Sequence, residues 1–319
     1  MKIHPSHRDE ARPAAWTLAL LGFLLLLAWV LPAPGELAGI AQYLPLHTAL
    51  ETLAIVVGGL IFAVGWNTPR SESSRNILLL ACAFLGVALL DLAHTLSYSG
   101  MPDFVTPSGV EKAIDFWLAA RALAALALLA VAILPWGHPI SQPQALGLLG
   151  AVLGLVVAIN LLILYHQDWI PRTFIPGEGL TLFKIAAEYL LIAIYFLAAV
   201  LFWGHLRRPR TFAASSLLAA AAIMAMGEFC FTLYANATDI YNLTGHLYKV
   251  MAYLFLYRAL FVDTVLQPYE RLNAVRDQLE VTLQALPDLL FEMSRDGRYL
   301  AVHASQSGKL VLTPADLIG

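Results

Sequence analysis

Charge is scarce in this chain. Of 319 residues only 13% are charged and 59% are hydrophobic, whereas a soluble domain carries about 25% charged residues. That excludes a water-soluble domain over most of the length, and a mean hydropathy of +0.71 agrees. The net charge of −3 leaves no basic surplus for a nucleic-acid backbone. Cysteine is nearly absent. Cys82 and Cys230 both lie inside apolar runs without a CxxC neighbour, which argues against a disulfide and a structural zinc site. The HExxH and GxSxG signatures of hydrolases do not occur, nor does an internal repeat. A cleavable leader is missing too: the run Ala14 to Leu31 has no small-residue cleavage site, so it reads as a helix that stays.

What is present is a series of runs long enough to cross a bilayer, which takes roughly 20 apolar residues. They lie at about 14–32, 44–66, 76–99, 114–136, 145–166, 181–205, 213–235 and 245–266, predicting an all-α polytopic bundle of about eight helices. Short loops rich in Lys and Arg stay on the cytoplasmic side. Lys2, Arg8 and Arg12, then Arg70 and Arg75, then Arg207, Arg208 and Arg210 occupy alternate loops. Both termini are therefore expected in the cytoplasm, after a tail of residues 1–13 and a membrane domain of residues 14–266.

Composition changes after the last span. Residues 267–285 are charged, with Leu272, Val275, Leu279 and Leu283 at helical spacing. Such a stripe suits a linker helix, either as an amphipathic single helix or as a parallel coiled coil joining a homodimer. Two β-prone runs then flank Arg295-Asp296-Gly297, the signature of a tight hairpin. Residues 286–319 resemble the start of an α/β PAS domain that is truncated at "PADLIG".

Ionisable residues inside the spans are the candidate functional groups, since each costs at least ~2.5 kcal/mol near the bilayer centre unless partnered. By depth, His47 and Glu51 on the second span, Asp91 and His94 on the third, and His246 and Lys249 on the eighth fall at one periplasmic end. Glu228, Arg121 and Glu188 lie in the same half. The spacings i,i+4 and i,i+3 set each pair on one helix face. Five or six helices are thus expected to aim polar groups at one pocket open to the periplasm. Two readings stay open. His94 and His246 lie shallow enough to be hydrated, and Lys249 with Glu228 or Asp91, and Arg121 with Glu51 or Glu188, could be structural ion pairs. Alternatively the groups bind a small molecule, a transition metal through His47, His94 and His246, or haem b. Met101, Tyr98, Trp117, Phe229 and Tyr248 would be pocket walls or an interfacial belt.

Three stretches, "DLAHTLSYSGMPDF", "FWLAARALAALALL" and "EFCFTLYANATDIYNLTGHLYKVMAYLFLYRALF", resemble the third membrane-associated sensor (MASE) family of bacterial signalling proteins over residues 14–266. The resemblance implies a non-catalytic input domain in the inner membrane, followed by PAS modules and a diguanylate cyclase, a cyclic-di-GMP phosphodiesterase or a histidine kinase. Its polar motif positions fall on His47, Glu51, Asp91, His94, Arg121, Glu228, His246 and Lys249, and it supplies no ligand. The charged "GVEKAIDFW" before the fourth span departs from the pattern. A transporter is the alternative function, but polar groups on one side only and unpaired halves argue against it.

Overall fold

The computed structural model describes residues 3–30, 40, 42–69, 74–233, 238–285 and 289–304. Each apolar run becomes a helix, because backbone groups in lipid must bond within their own segment. The spans are α1 (Arg8–Val30), α2 (Tyr43–Asn67), α3 (Arg75–Leu96), α4 (Val110–Ile133), α5 (Gln142–Tyr165), α6 (Leu182–His205), α7 (Ala214–Leu233) and α8 (Ile240–Phe261). All eight are long and apolar enough to cross a membrane. Caps set several starts: Ser74, Ser141, Thr181 and Asp239 each accept from a first-turn backbone N–H. The fold is the multi-pass helical membrane bundle expected from the sequence. Lys2, Arg70 and the residues between α1 and α2 bearing on topology lie largely outside the described residues.

Neighbouring helices close a circuit. α2 packs on α3, α3 on α4, α4 on α6, α6 on α7, α7 on α8, and α8 back on α2. α1 lies outside against α7, and α5 outside against α3. Small residues let the circuit tighten: a Cβ on Gly65 of α2 would stand 2.6 Å from the Ala81 Cβ of α3. Polarity is inverted relative to a soluble protein. Large apolar side chains such as Trp16, Val56, Leu190 and Phe196 face outward, while Glu51, Asp91, Arg121, Glu188 and Lys249 are buried.

Contacts between loops define the two ends of the bundle. At the end carrying Arg8, Arg12, Arg75, Arg207 and Arg208, Arg210 pairs with Glu10 at 2.8 Å and Asp263 at 3.7 Å. Trp136 stacks on Phe212 there, ring centroids 3.8 Å apart. At the opposite end the fourth helix starts earlier than the hydropathy predicts, at Val110 rather than near 114. The unassigned charges of "GVEKAIDFW" hold loops there. Lys112 donates to the carbonyls of Phe104 and Thr106 at 2.6 and 3.0 Å. Glu111 pairs with Arg172 at 2.6 Å, and Asp115 accepts from Gln167 and Thr173 at 2.8 and 2.9 Å.

The chain divides into compact units of residues 1–264 and 265–319. In the sequence Pro268 is the interruption between the last span and the linker. In the structure the helix adjusts before it, as a π-helical turn over Val262–Leu266. Proline cannot donate to the carbonyl four residues back, and its ring crowds that carbonyl. A widened turn relieves both problems and is a form common at functional joints. Beyond it run the linker helix α9 (Gln267–Ala285) and an antiparallel hairpin, β3 (Leu289–Met293) with β4 (Tyr299–Ala304). Gly297 takes φ +82° at the turn, the left-handed value glycine allows. The rest of the stretch resembling a PAS domain lies outside the described residues.

Candidate functional site

Six helices of the circuit each bring ionisable side chains inward near the end where α2, α4 and α8 begin. The arrangement is layered. α2 and α8 run inward from that end, so His47 and His246 sit one turn above Glu51 and Lys249. α3 runs outward, so His94 likewise sits one turn above Asp91. Three helices therefore each place an imidazole over a charged group.

The deeper layer is a chain of alternating charge. Lys249 Nζ lies 2.5 Å from both Glu51 oxygens and 3.6 Å from Asp91. Arg121 donates to both Asp91 oxygens at 2.7 and 2.9 Å. Tyr253, one turn below Lys249, accepts from Arg121 at 2.7 Å and donates to Asp91 at 3.0 Å. Two carboxylates and two cations cancel. Among the described residues Arg121 Nε and Nη1 have no hydrogen-bond partner. The guanidinium instead lies 4.7 Å from the Trp117 ring, and Lys249 4.8 Å, both at cation–π distance. These pairings differ from those weighed in the sequence. The principal partner of Arg121 is Asp91, not Glu51 or Glu188, and that of Lys249 is Glu51, with Asp91 second.

The upper layer is also buried. His94 and His246 are only 4% and 2% exposed, so the hydrated positions inferred from depth are corrected. The cause is a lid that hydropathy does not register. Tyr98, just past α3, stacks on His47 at 4.0 Å between centroids, and Tyr43 hydrogen-bonds Asn242 across the top of α2 and α8. His94 Nδ1 lies 2.7 Å from the Ala113 carbonyl, and its Nε2 lies 3.3 Å from His47 Nε2. His246 Nδ1 makes a short, bent contact of 2.6 Å with Glu51. Ligand atoms of His47, Glu51, His94 and His246 all come within 4.8 Å of one another. Beside them is a cavity of about 40 Å³, lined by His94, Tyr98, Trp117, Lys184, Phe231, Asn242 and His246 among others.

Glu228 does not join this group. It contacts Glu188 in a second buried cluster, where Lys184 lies 2.9 Å from Glu188 and donates to the Phe231 carbonyl at 2.8 Å. Lys184 was missed in the sequence because it reads as a snorkelling residue at the start of a span. Tyr253 and Asn242 were missed because uncharged polar residues barely alter hydropathy. Their regular offsets from Lys249 and His246 were the available signal. Phe229 packs edge-on against Trp29, and Tyr248 donates to the Leu21 carbonyl at 2.8 Å. Both therefore dock α1 rather than wall the site. Trp117 and Tyr98 are walls, and Met101 packs in the cluster of Tyr43 and Tyr98.

A family profile described as a membrane-associated sensor domain, MASE3, matches residues 38–268, well over half of the chain. No curated protein matches it.

The charge layer makes a stability prediction. Asp91→Ala leaves the Arg121 guanidinium buried without its carboxylate, a loss of about 3–5 kcal/mol, read as a lower melting temperature in lipid nanodiscs. Asp91→Ala combined with Arg121→Met should recover most of that loss, because the stranded charge goes with it. Additive damage in the double variant would show that the two residues do not act as a pair.

Proposed function

The chain belongs to the third membrane-associated sensor (MASE) family, and from that membership we propose that it is the sensory input domain of a bacterial signalling protein. As a membrane sensor domain it is not itself catalytic. Its proposed setting is the inner membrane with both termini cytoplasmic, a placement supported by the arginines gathered at one end of the bundle. The layered site then faces the periplasmic end and takes a small ligand. Domain limits of 14–266 for the sensor, 267–285 for the linker and 286–319 for the start of a PAS domain belong to the same proposal. So does an output module that is a diguanylate cyclase, a cyclic-di-GMP phosphodiesterase or a histidine kinase.

One observation carries this reading. α8 holds both a histidine and a cation of the buried site, and its helical backbone runs through a π-helical turn into the linker helix. A ligand that binds one arrangement of α8 better than another shifts the population between them. Movement of α8 is passed on at its far end, where Asp263 accepts from the Ala213 N–H at 2.9 Å. A carrier would need a path to the other side. Here Phe202, Leu217 and Leu256 are buried in the half away from the site, which argues against such a path. We place the partner copy along α9, where Leu272, Val275 and Leu279 are 66%, 64% and 58% exposed. That spacing suits a parallel coiled coil.

His246→Ala in the full-length protein should insert normally yet change output activity per folded molecule severalfold. Unchanged specific output would make His246 scaffold and remove the site from signalling. Single cysteines at Leu272, Val275 and Leu279 should cross-link between chains in native membranes. Absence of cross-links at all three would argue for an isolated amphipathic helix.

A further inference from the structure

We propose that His47, His94 and His246 bind one divalent first-row transition-metal ion through their Nε2 atoms, with an open coordination position toward the adjoining cavity. The inference rests on the sensory reading of this site and names its ligand.

Polar contacts bear on which nitrogens are free. A backbone carbonyl only accepts, so His94 carries its proton on Nδ1, 2.7 Å from the Ala113 oxygen, and its Nε2 is a bare lone pair. His246 Nδ1 stands 2.6 Å from a Glu51 oxygen, a contact too bent for a hydrogen bond, yet a carboxylate that only accepts favours the proton on Nδ1 and leaves Nε2 bare. Metal-binding histidines are commonly held in this way, the outer nitrogen on a carbonyl or carboxylate and the inner one on the ion. The third imidazole departs from the pattern: with His94 Nε2 bare, the proton between the two rings sits on His47 Nε2, and a bound ion would displace it to Nδ1. His47 Nε2 faces the bare His94 Nε2 at 3.3 Å. Ligand nitrogens at about 2.0–2.1 Å from a tetrahedral ion stand about 3.3–3.4 Å apart. His47 Nδ1 is buried with no partner among the described residues.

Glu51 is spoken for by Lys249 and His246, so it orients His246 rather than ligating. The charge layer beneath sums to zero and sets no net repulsion against a cation. Size decides between a metal ion and haem b. A cavity of about 40 Å³ admits water-sized groups, whereas sites for larger organic ligands run to about 300–1,000 Å³. Imidazole ligands suit zinc, copper and nickel. Three protein ligands with one position open make a site that can exchange or sense, unlike a closed structural site.

The test uses the full chain, purified without chelator, stripped with EDTA and titrated with Co²⁺ and Zn²⁺. One equivalent of Co²⁺ per chain should bind with visible d–d absorption and be displaced by Zn²⁺. His47→Gln, His94→Gln and His246→Gln should each weaken binding at least about a hundredfold, beyond the 10–100-fold typical of outer-shell changes. His138→Gln, in an exposed loop, should not. Melting curves of the metal-free proteins show that each variant is folded. If the folded protein binds no Co²⁺, or the three variants bind as well as the parent, the metal site is refuted. Output that still responds to His246→Ala would then leave the sensor reading standing with a different ligand.

Discussion

A carboxylate inside a bilayer must meet a cation, and in this bundle Asp91 meets two. Arg121 grips both of its oxygens and Lys249 stands behind, with Glu51 closing the chain on the far side of Lys249. Everything else at that end follows from this balance. Four helices, α2, α3, α4 and α8, are registered against one another by charges that would each be prohibitive alone. Because the charges cancel among themselves, the imidazoles one turn above need neutralise nothing. All three are buried, at 4% exposure or less.

The same balance ties α8 to its neighbours along its length. Its upper turn faces the site, its middle supplies Tyr253 to the charge layer, and its lower end meets the loop between α6 and α7 through Asp263. A rigid helix with contacts at three depths cannot adjust one without loading the others. The π-helical turn over Val262–Leu266, just before Pro268, follows directly on that lower end. Gly245 marks the tightest point: a Cβ there would stand 2.3 Å from the Phe231 ring, which also lines the cavity beside His246. Helix packing and the cavity wall share that contact.

Much of this was legible in the sequence. Span number follows from hydropathy, and depth from counting 1.5 Å per residue along each span. The three-and-four spacing of His47 with Glu51, Asp91 with His94 and His246 with Lys249 announced shared faces. Pairing was not legible, because depth and face leave rotation of each helix about its axis undetermined. Asp91 could have met Lys249 first, and only the positions of α4 and Trp117 hand it to Arg121. Glu228 shows the limit of depth alone, since its helix turns it toward α6 and Glu188. Tyr98 covers His47 and His94 from just past α3, a contact with no periodic signal, while Trp117 and Phe231 cover His246. The early start of α4 was hidden because Glu111, Lys112 and Asp115 read as loop charges until their loop partners are seen.

Imidazole tautomers report directly on whether the charge layer leaves the proposed ligands His94 and His246 neutral, with Nε2 bare. Solid-state ¹⁵N spectra of histidine-labelled protein in lipid, assigned by His94→Gln and His246→Gln, distinguish a protonated from a bare ring nitrogen. His94 and His246 in metal-free protein should both show the proton on Nδ1 and a bare Nε2. Imidazolium signals, or protons on Nε2, would mean that the histidines serve the charge network and offer no ligand to anything above it.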